Sequence, residues 1–333
     1  MFFKKIKKTS ILLLVSLFIF PISTYAYSDE IYASGENIGI KISSNGILVV
    51  GSYLVNGIDN CKESGLQKGD IILEVNGVKT LSIDEMVNVI SSSNKEYVSI
   101  TYKRDEEEKK TNLHVVKDES NVYKTGLYVK DSITGIGTLT FIDPNTKLFG
   151  ALGHEVADST TGVMLEVKDG TIFSSSVTSI DRSSIGEPGS KNAKLNTEDT
   201  KGVIHENTEK GIFGLYESEI KSSNLYTVAS IDDIKKGDAT ILTVTEDNTV
   251  KSYKIEILKI DKDESNLKNI LFEIKDKELL EKTGGVVQGM SGSPIIQEKF
   301  IIGAVTHVVV NHPSRGYGIF IKTMLEEAEN ERD

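Results

Sequence analysis

The chain has little of several things that would place it quickly. In 333 residues it has one cysteine, no tryptophan and five prolines. A single cysteine, Cys61, excludes an intramolecular disulfide and a thiolate metal cage, so stability must come from core burial. Its context, just ahead of Ser64-Gly65-Leu66, reads as structural rather than nucleophilic. The five histidines, at 114, 154, 205, 307 and 312, show no H-x-x-x-H spacing, so the zinc-peptidase helix is missing. No metal and no cofactor is expected. Positive charge is also short: 38 Lys and Arg stand against 49 Asp and Glu, a net charge of −11, which argues against nucleic acid as a partner. Long apolar runs are scarce. The ten residues from Ile11 to Phe20 are well below the ~20 that a spanning helix needs. Lys4, Lys5, Lys7 and Lys8 precede that run, Pro21 ends it, and Thr24-Tyr25-Ala26 offers a small-residue cleavage site. Residues 1–26 therefore read as a signal peptide or retained membrane anchor, and the chain as exported.

What is present is mostly β-patterned. Residues 27–33 read as a short linker. Ile38-Gly39-Ile40-Lys41-Ile42 alternates apolar and polar, Ile47 to Val50 is a buried-strand run, and Ile71 to Gly77 reads as a strand closing on an Asn-Gly turn. Ser82 and Glu85 form a capping box for a helix whose apolar face is Met86, Val87, Val89 and Ile90. The charge run 103–110 reads as a solvated hairpin tip. Together, residues 34–117 make one compact α+β unit. Its string S-G-L-Q-K-G-D-I-I-L-E-V-N-G at 64–77 and the Ile38-Gly39-Ile40 strand resemble a PDZ domain. The resemblance implies that backbone N–H groups around Ile38, Gly39 and Ile40 receive a peptide carboxylate. It also implies that a peptide C-terminus or internal segment adds to the neighbouring strand. Residues 118–125 read as a linker. From Gly126 onward short apolar runs alternate with Gly, Asn, Asp and Ser turns, a spacing that suits a closed β-barrel or sandwich over 126–333.

Two glycine-rich strings carry the chemistry. Gly289-Met290-Ser291-Gly292-Ser293-Pro294 sets a serine in a tight turn whose N–H groups can face an incoming carbonyl. Gly150-Ala151-Leu152-Gly153-His154 exposes a histidine at a strand end. A serine hydroxyl needs a neutral imidazole to take its proton, and a carboxylate usually holds that imidazole in the right tautomer. Ser291 and His154 fit the first two roles. For the third, Asp143, Asp158, Asp181, Asp199 and Asp276 are all candidates, and spacing does not choose among them.

The strings G-A-L-G-H-E-V-A-D at 150–158, G-I-F-G at 211–214, T-G-G-V-V-Q-G-M-S-G-S-P-I-I-Q at 283–297 and G-Y-G-I-F-I at 316–321 resemble the SpoIVB peptidase family. So does the order of parts over the whole chain: targeting segment, PDZ domain, peptidase. Periplasmic stress proteases resemble the same parts but place the protease first. The resemblance implies a mainly β protein with a PDZ domain followed by a trypsin-like double β-barrel. It matches Ser291 to the nucleophile, His154 to the base and Asp276 to the acid, with the backbone N–H groups of Gly289 and Ser291 as oxyanion donors. Met290 stands where trypsin-like zymogens carry aspartate, so activation by a new N-terminus pairing there is not expected. The family further implies an exported sporulation protease, acting between the forespore membranes, that cleaves itself and a membrane-bound regulator and so leads to activation of a late mother-cell sigma factor. The alternative is a PDZ peptide-binding module carrying a degenerate protease-like domain.

Overall fold

The computed structural model describes residues 27–220 and 224–330; the segment expected to target the chain, residues 1–26, lies outside them. In chain order a short strand β1 (Glu30–Ala33) leads into a long one, β2 (Asn37–Ser52). Then come α1 (Asn60–Ser64), β3 (Ile71–Val75), β4 (Val78–Lys79), α2 (Ile83–Ser93), β5 (Tyr97–Arg104), β6 (Glu107–His114), β7 (Val116–Lys117) and β8 (Tyr123–Lys124). A second long strand, β9 (Leu127–Ile142), returns alongside β2.

The first halves of β2 and second halves of β9 belong to a barrel. With β10 (Leu148–Ala151), β11 (Val167–Asp181), β12 (Ser190–Thr208) and β13 (Gly211–Tyr216) they pair in the circle β2-β9-β10-β13-β12-β11 and back to β2, all antiparallel. Inward-facing Ile38, Ile40, Leu139, Phe149, Ile172 and Ile204 fill it. After β14 (Leu225–Val228) a second circle closes from β15 (Gly237–Val244), β16 (Val250–Ile260), β17 (Ile270–Ile274), β18 (Pro294–Gln297), β19 (Phe300–Val308) and β20 (Arg315–Phe320), in the order β15-β16-β17-β20-β19-β18 and back to β15. Its filling includes Ile241, Tyr253, Phe272, Ile295 and Met290. This is the double barrel expected of a trypsin-like chain, and closure leaves the sheets without long open edges. After the short helix α3 (Lys277–Thr283), one helix matters to the assembly of the halves: α4 (Ile321–Asn330).

The seam between the barrels is apolar. Ile31, Phe141, Phe213, Ile301, Ile319 and Met324 form one cluster under α4, each large side chain contributing about 1.5–3 kcal/mol by burial. Residues 27–33 are not a loose linker. β1 pairs with β9 on one edge and with β14 on the other, and β14 runs parallel beside β19, so β1 stitches one barrel to the other. Ile31 and Ala33 are fully buried. The 118–125 segment is likewise ordered: β7 and β8 pair, and the Asp118 carboxylate accepts from the N–H groups of Ser120 and Val122 to close their turn.

The PDZ unit sits inside the hairpin formed by β2 and β9. Both strands change sheet partway along. Residues 38–44 of β2 pair with β11, whereas Ile47 and Leu48 pair with β3. The change occurs at Gly46, whose φ of +149° and close approach to Ile71 leave no space for a Cβ, which would lie 2.6 Å from the Ile71 methyl. The core of the unit is Ile47, Val49, Ile72, Met86, Ile90 and Val98. The Ser82 hydroxyl accepts from the Glu85 N–H at the start of α2, the first half of a capping box, while the Glu85 carboxylate accepts from the Leu81 N–H, one residue before the cap. Run 103–110 makes the β5–β6 hairpin, with Asp105 and Glu106 in left-handed conformation at its exposed tip. The boundary read at residue 34 moves accordingly. Residues 37–44 are barrel, because their alternation suits either sheet and their two edges are taken by β9 and β11.

One interior residue is out of character. Lys191, at the start of β12, is buried between the barrels, and its Nζ donates to Thr243 Oγ1 at 3.0 Å and to Asn37 Oδ1 at 3.4 Å. Among the described residues no carboxylate pairs with it. Burial alone pushes its pKa down to about 7. Between pH ~7 and the ordinary lysine value of 10.5 the unfolded chain binds a proton that the fold does not, so this group makes stability rise with pH across that window. The expected slope is up to about 1.4 kcal/mol per pH unit. Denaturant unfolding of the protein and of Lys191→Met from pH 7 to 10 checks it: the difference between the two curves should change by that slope, and a constant difference would refute it.

Candidate active site

The turn that carries Ser291 is built from short-range backbone bonds. Met290 N donates to Val287 O at 3.1 Å, Ser293 N to Met290 O at 2.9 Å, and Gly292 N to Val305 O at 2.7 Å. Met290 is buried in the core of the second barrel, which accounts for an apolar side chain where an acid might stand. Gly289 and Gly292 both have φ of +92°. At Gly292 a Cβ would lie 2.0 Å from Thr138 O, so only glycine allows the turn to lie against β9 of the other barrel. Three further bonds fasten it there: Thr138 N to Ser291 O at 3.0 Å, Thr138 Oγ1 to Gly289 O at 2.8 Å and Thr140 Oγ1 to Gly292 O at 2.8 Å. The N–H groups of Gly289 and Ser291 make no hydrogen bond among the described residues.

His154 comes from the first barrel. β10 ends at Ala151, and Leu152 and Gly153 follow with φ of 70° and 73°. A left-handed leucine costs roughly 1–2 kcal/mol. It is held there because its side chain is buried in the barrel core and its N–H reaches Thr138 O. The turn places His154 on the cleft wall. Its Nδ1 lies 2.7 Å from Glu155 O. A carbonyl only accepts, so Nδ1 carries the proton and Nε2 keeps its lone pair. The ring of His307, on β19, lies 5.5 Å from that of His154. Desolvation, and then His154, push His307 down to about 4, although its side chain is exposed at the cleft. The Ser291 hydroxyl donates to Thr306 O, the residue before His307, at 2.8 Å.

Ser291, His154, Gly289, Thr306 and His307 line one cleft of about 740 Å³ between the barrels. Its walls also include Ile136, Leu152, Val287 and Gln288, and it runs toward Lys130 and Asp158, which are joined at 2.6 Å. The lining mixes apolar side chains with polar and charged ones, among them Ser132, Thr134, Glu155 and Gln288.

The expected acid is elsewhere. Asp276 is the N-cap of α3: its carboxylate accepts from Leu279 N at 3.1 Å and from Lys254 N at 3.3 Å, and it is not part of the cleft wall. The other candidates are engaged too. Asp143 accepts from Ser28, Asn145 and Thr146; Asp158 from Lys130, Thr160 and Thr161; Asp181 from Ser190 and Asn192; Asp199 from Lys201. The bond to the His154 ring is made by a backbone carbonyl, which spacing arguments over side chains do not reach.

The expected carboxylate loop of the PDZ unit is also displaced. Ile38, Gly39 and Ile40 sit mid-strand in the first barrel, paired to Gly137, Ile136 and Gly135 on one side and to Ser174, Phe173 and Ile172 on the other. A strand with neighbours on both edges has no N–H groups to offer a peptide. The strand flanking residues 48–52 of β2 inside the PDZ unit is instead Leu127–Lys130. Thr138, Thr140 and Thr306 escaped sequence reading as parts of the site. The one trace of the first two is a pair of threonines at spacing two, both fully buried in an otherwise apolar strand.

The SpoIVB peptidase S55 family matches residues 121–325, and a PDZ domain matches residues 62–104. No curated protein matches the chain. Among solved structures, the PDZ domain of the SdrC-like protein from Listeria monocytogenes is 22% identical, with 27% of this chain and 93% of that one covered and a TM-score of 0.23. The Rv3671c protease from M. tuberculosis in its active form is 16% identical, with 59% and 74% covered and a TM-score of 0.32. The HtrA-type protease AlgW with tripeptide is 13% identical, with 59% and 56% covered and a TM-score of 0.35. The three structural scores are low, and it is the family match, over most of the chain and across both barrels, that identifies it: the chain belongs to the SpoIVB peptidase S55 family.

Proposed function

We propose that Ser291 is the nucleophile, His154 its general base and the N–H groups of Gly289 and Ser291 the oxyanion donors of an exported sporulation endopeptidase. In this reading the enzyme processes itself and cleaves a membrane-bound regulator, leading to activation of a late mother-cell sigma factor. The coarser statement stands without proposal: family membership makes the chain a serine endopeptidase, and it carries a PDZ domain. Protein or peptide is therefore its substrate class. The observation that carries the residue roles is the convergence of Ser291 and His154, from opposite barrels, on one cleft beside two unspent backbone N–H groups.

The chemistry follows from that placement. At rest the Ser291 hydroxyl is bonded to Thr306 O. Attack requires it to turn toward His154 Nε2, which takes the proton as Oγ bonds to the scissile carbonyl carbon. The carbonyl oxygen becomes negative and is stabilised by the two N–H groups. His154 then returns the proton to the leaving amine, and water repeats the sequence on the acyl-enzyme. The imidazolium formed on the way is supported by the Glu155 carbonyl dipole rather than by a full carboxylate charge.

Self-processing, sporulation and the regulator rest on the family, on its quoted strings and on the order of parts. Export rests on the composition of residues 1–26. A self-cut within Glu30–Ala33 would have to break a strand paired on both edges. The reading therefore puts the cut before β1 or in the exposed turn at 119–122. Among the described residues no carboxylate partners His154, which favours the competing reading of a PDZ module on an inactive barrel, and labelling by a fluorophosphonate separates the two.

Ser291→Ala should abolish labelling and lower peptide-bond hydrolysis by on the order of 10⁴- to 10⁶-fold, and His154→Gln should lower both by several orders of magnitude. N-terminal sequencing of mature forms should find a cut in the parent that Ser291→Ala lacks. Undiminished labelling of Ser291→Ala, or identical termini in both, would refute the corresponding part. Asp276 gives an independent check. As a helix cap it can be replaced by asparagine, so Asp276→Asn should keep turnover within about threefold, while Asp276→Ala should lose about 0.5–2 kcal/mol of stability. Loss of several orders of magnitude in Asp276→Asn, with an unchanged melting temperature, would restore it as the acid.

A further inference from the structure

The mechanism makes no use of Lys191, yet the residue lies where three parts of the catalytic apparatus meet. Its Nζ donates to Asn37 of β2 in the first barrel and to Thr243 of β15 in the second. Asn37 is fixed in turn by donating to Ser175 Oγ on β11 at 2.7 Å. The lysine stem underlies the oxyanion turn: a Cβ built on Gly289 would stand 3.1 Å from Lys191 Cδ and 3.2 Å from its Cβ. The backbone joins the same contact, with Lys191 N donating to Gln288 O at 2.9 Å and Gln288 N to Gly189 O at 2.8 Å. Just upstream, Ser183 Oγ donates to Val286 O and accepts from Gly189 N, and Ser183 N donates to Thr283 O. The segment 183–191 thus braces the chain that leads into the nucleophile turn, and Lys191 is its innermost point.

We propose that Lys191 is a positioning residue for catalysis: its buried stem props Gly289 so that the turn at 289–291 holds its two N–H groups in the oxyanion-binding arrangement. The inference rests on the assignment of those N–H groups made above. A turn with φ of +92° at Gly289 has glycine's conformational freedom and needs support from below. Met290 leaves no acidic side chain in the turn to be drawn inward by an ion pair. The support is apolar packing of a four-carbon stem, anchored at its far end by two hydrogen bonds that neutral partners accept. A neutral amine has two N–H donors, and both are used. The groups around Nζ, namely Asn37, Thr243 and, through Asn37, Ser175, carry no charge, so nothing there calls for an ammonium.

The test is the labelling rate by a fluorophosphonate, measured against probe concentration on the full chain, with Lys191→Ala, Lys191→Met and the parent compared. The phosphonyl oxygen occupies the oxyanion site as the bond to Ser291 forms, so the maximal rate reads the donors and the half-saturating concentration reads the cleft. Lys191→Ala should lower the maximal rate about 100-fold and move the half-saturating concentration less than about threefold. Lys191→Met restores the length of the stem and should recover the rate to within about fivefold of the parent. An unchanged maximal rate in Lys191→Ala would overturn the proposal. So would a loss carried by the half-saturating concentration, or a Lys191→Met as slow as Lys191→Ala while both melt as cooperative folded proteins. In each case robust, Ser291-dependent labelling of the parent would leave the assignment of the nucleophile standing.

Discussion

The two barrels meet through β9, and the site depends on how its threonines hold the nucleophile turn. Thr138 gives its N–H to Ser291 O and its hydroxyl to Gly289 O, and Thr140 gives its hydroxyl to Gly292 O. These bonds leave the carbonyls of the turn occupied on one side. The N–H groups of Gly289 and Ser291 are left over. The polarity of the turn is set in this way by a strand from the other half of the fold. Buried hydroxyls would be costly without partners, and here each partner is a carbonyl of the turn. Gly292 is required because β9 approaches so closely, and the left-handed Leu152 uses the remaining acceptor, Thr138 O. A residue with a Cβ at 292 would separate the barrels at the point where Ser291 and His154 must share a cleft.

This arrangement also explains where sequence reading succeeded. The strings around His154 and Ser291 are legible because glycines and a reactive side chain recur at fixed offsets, and those offsets are turn geometry. Short apolar runs between turn residues point to a closed barrel or a sandwich without choosing between them, and the double barrel was legible only through the resemblance. What was not legible is pairing across long separations. Ile38-Gly39-Ile40 has the same alternation whether it lies in a PDZ sheet or in a barrel, and only its pairing with β9 and β11 decides. For Asp276 only the resemblance, and not its spacing, suggests an acid, whereas its context is that of a helix cap, with Lys277 to Thr283 following it. Lys191 gave no signal, because nothing in G-S-K-N marks a lysine as interior.

A carbonyl in place of a carboxylate on His154 changes the electrostatics and leaves the tautomer intact. Glu155 O fixes the proton on Nδ1 as firmly as an aspartate could in geometric terms, since a backbone oxygen one residue away has little freedom to leave. It offers a partial charge to the imidazolium instead of a full one. The second imidazole, His307, does not compensate. Its pKa is pushed down by desolvation and by its neighbour, and a proton on it would repel a charge on His154. On the proposed roles, the Nδ1 proton is fixed at rest and the charged intermediate meets only a partial charge, which leaves more of the burden to the N–H groups of Gly289 and Ser291.

That burden gives meaning to the position of the PDZ unit. It is inserted in the β2–β9 hairpin, and the strand that forms its sheet edge at Leu127–Lys130 runs on without interruption to Thr138 and Thr140. Near the junction, Asp131 accepts from the N–H of Ile83 at the start of α2, and Lys130 reaches Asp158 in the loop beyond His154. A strand is stiff along its length and its register cannot slip by one residue without turning every side chain to the opposite face. The PDZ sheet edge and the threonines that hold the Ser291 turn are therefore parts of one strand, and the loop beyond His154 touches that strand at Lys130.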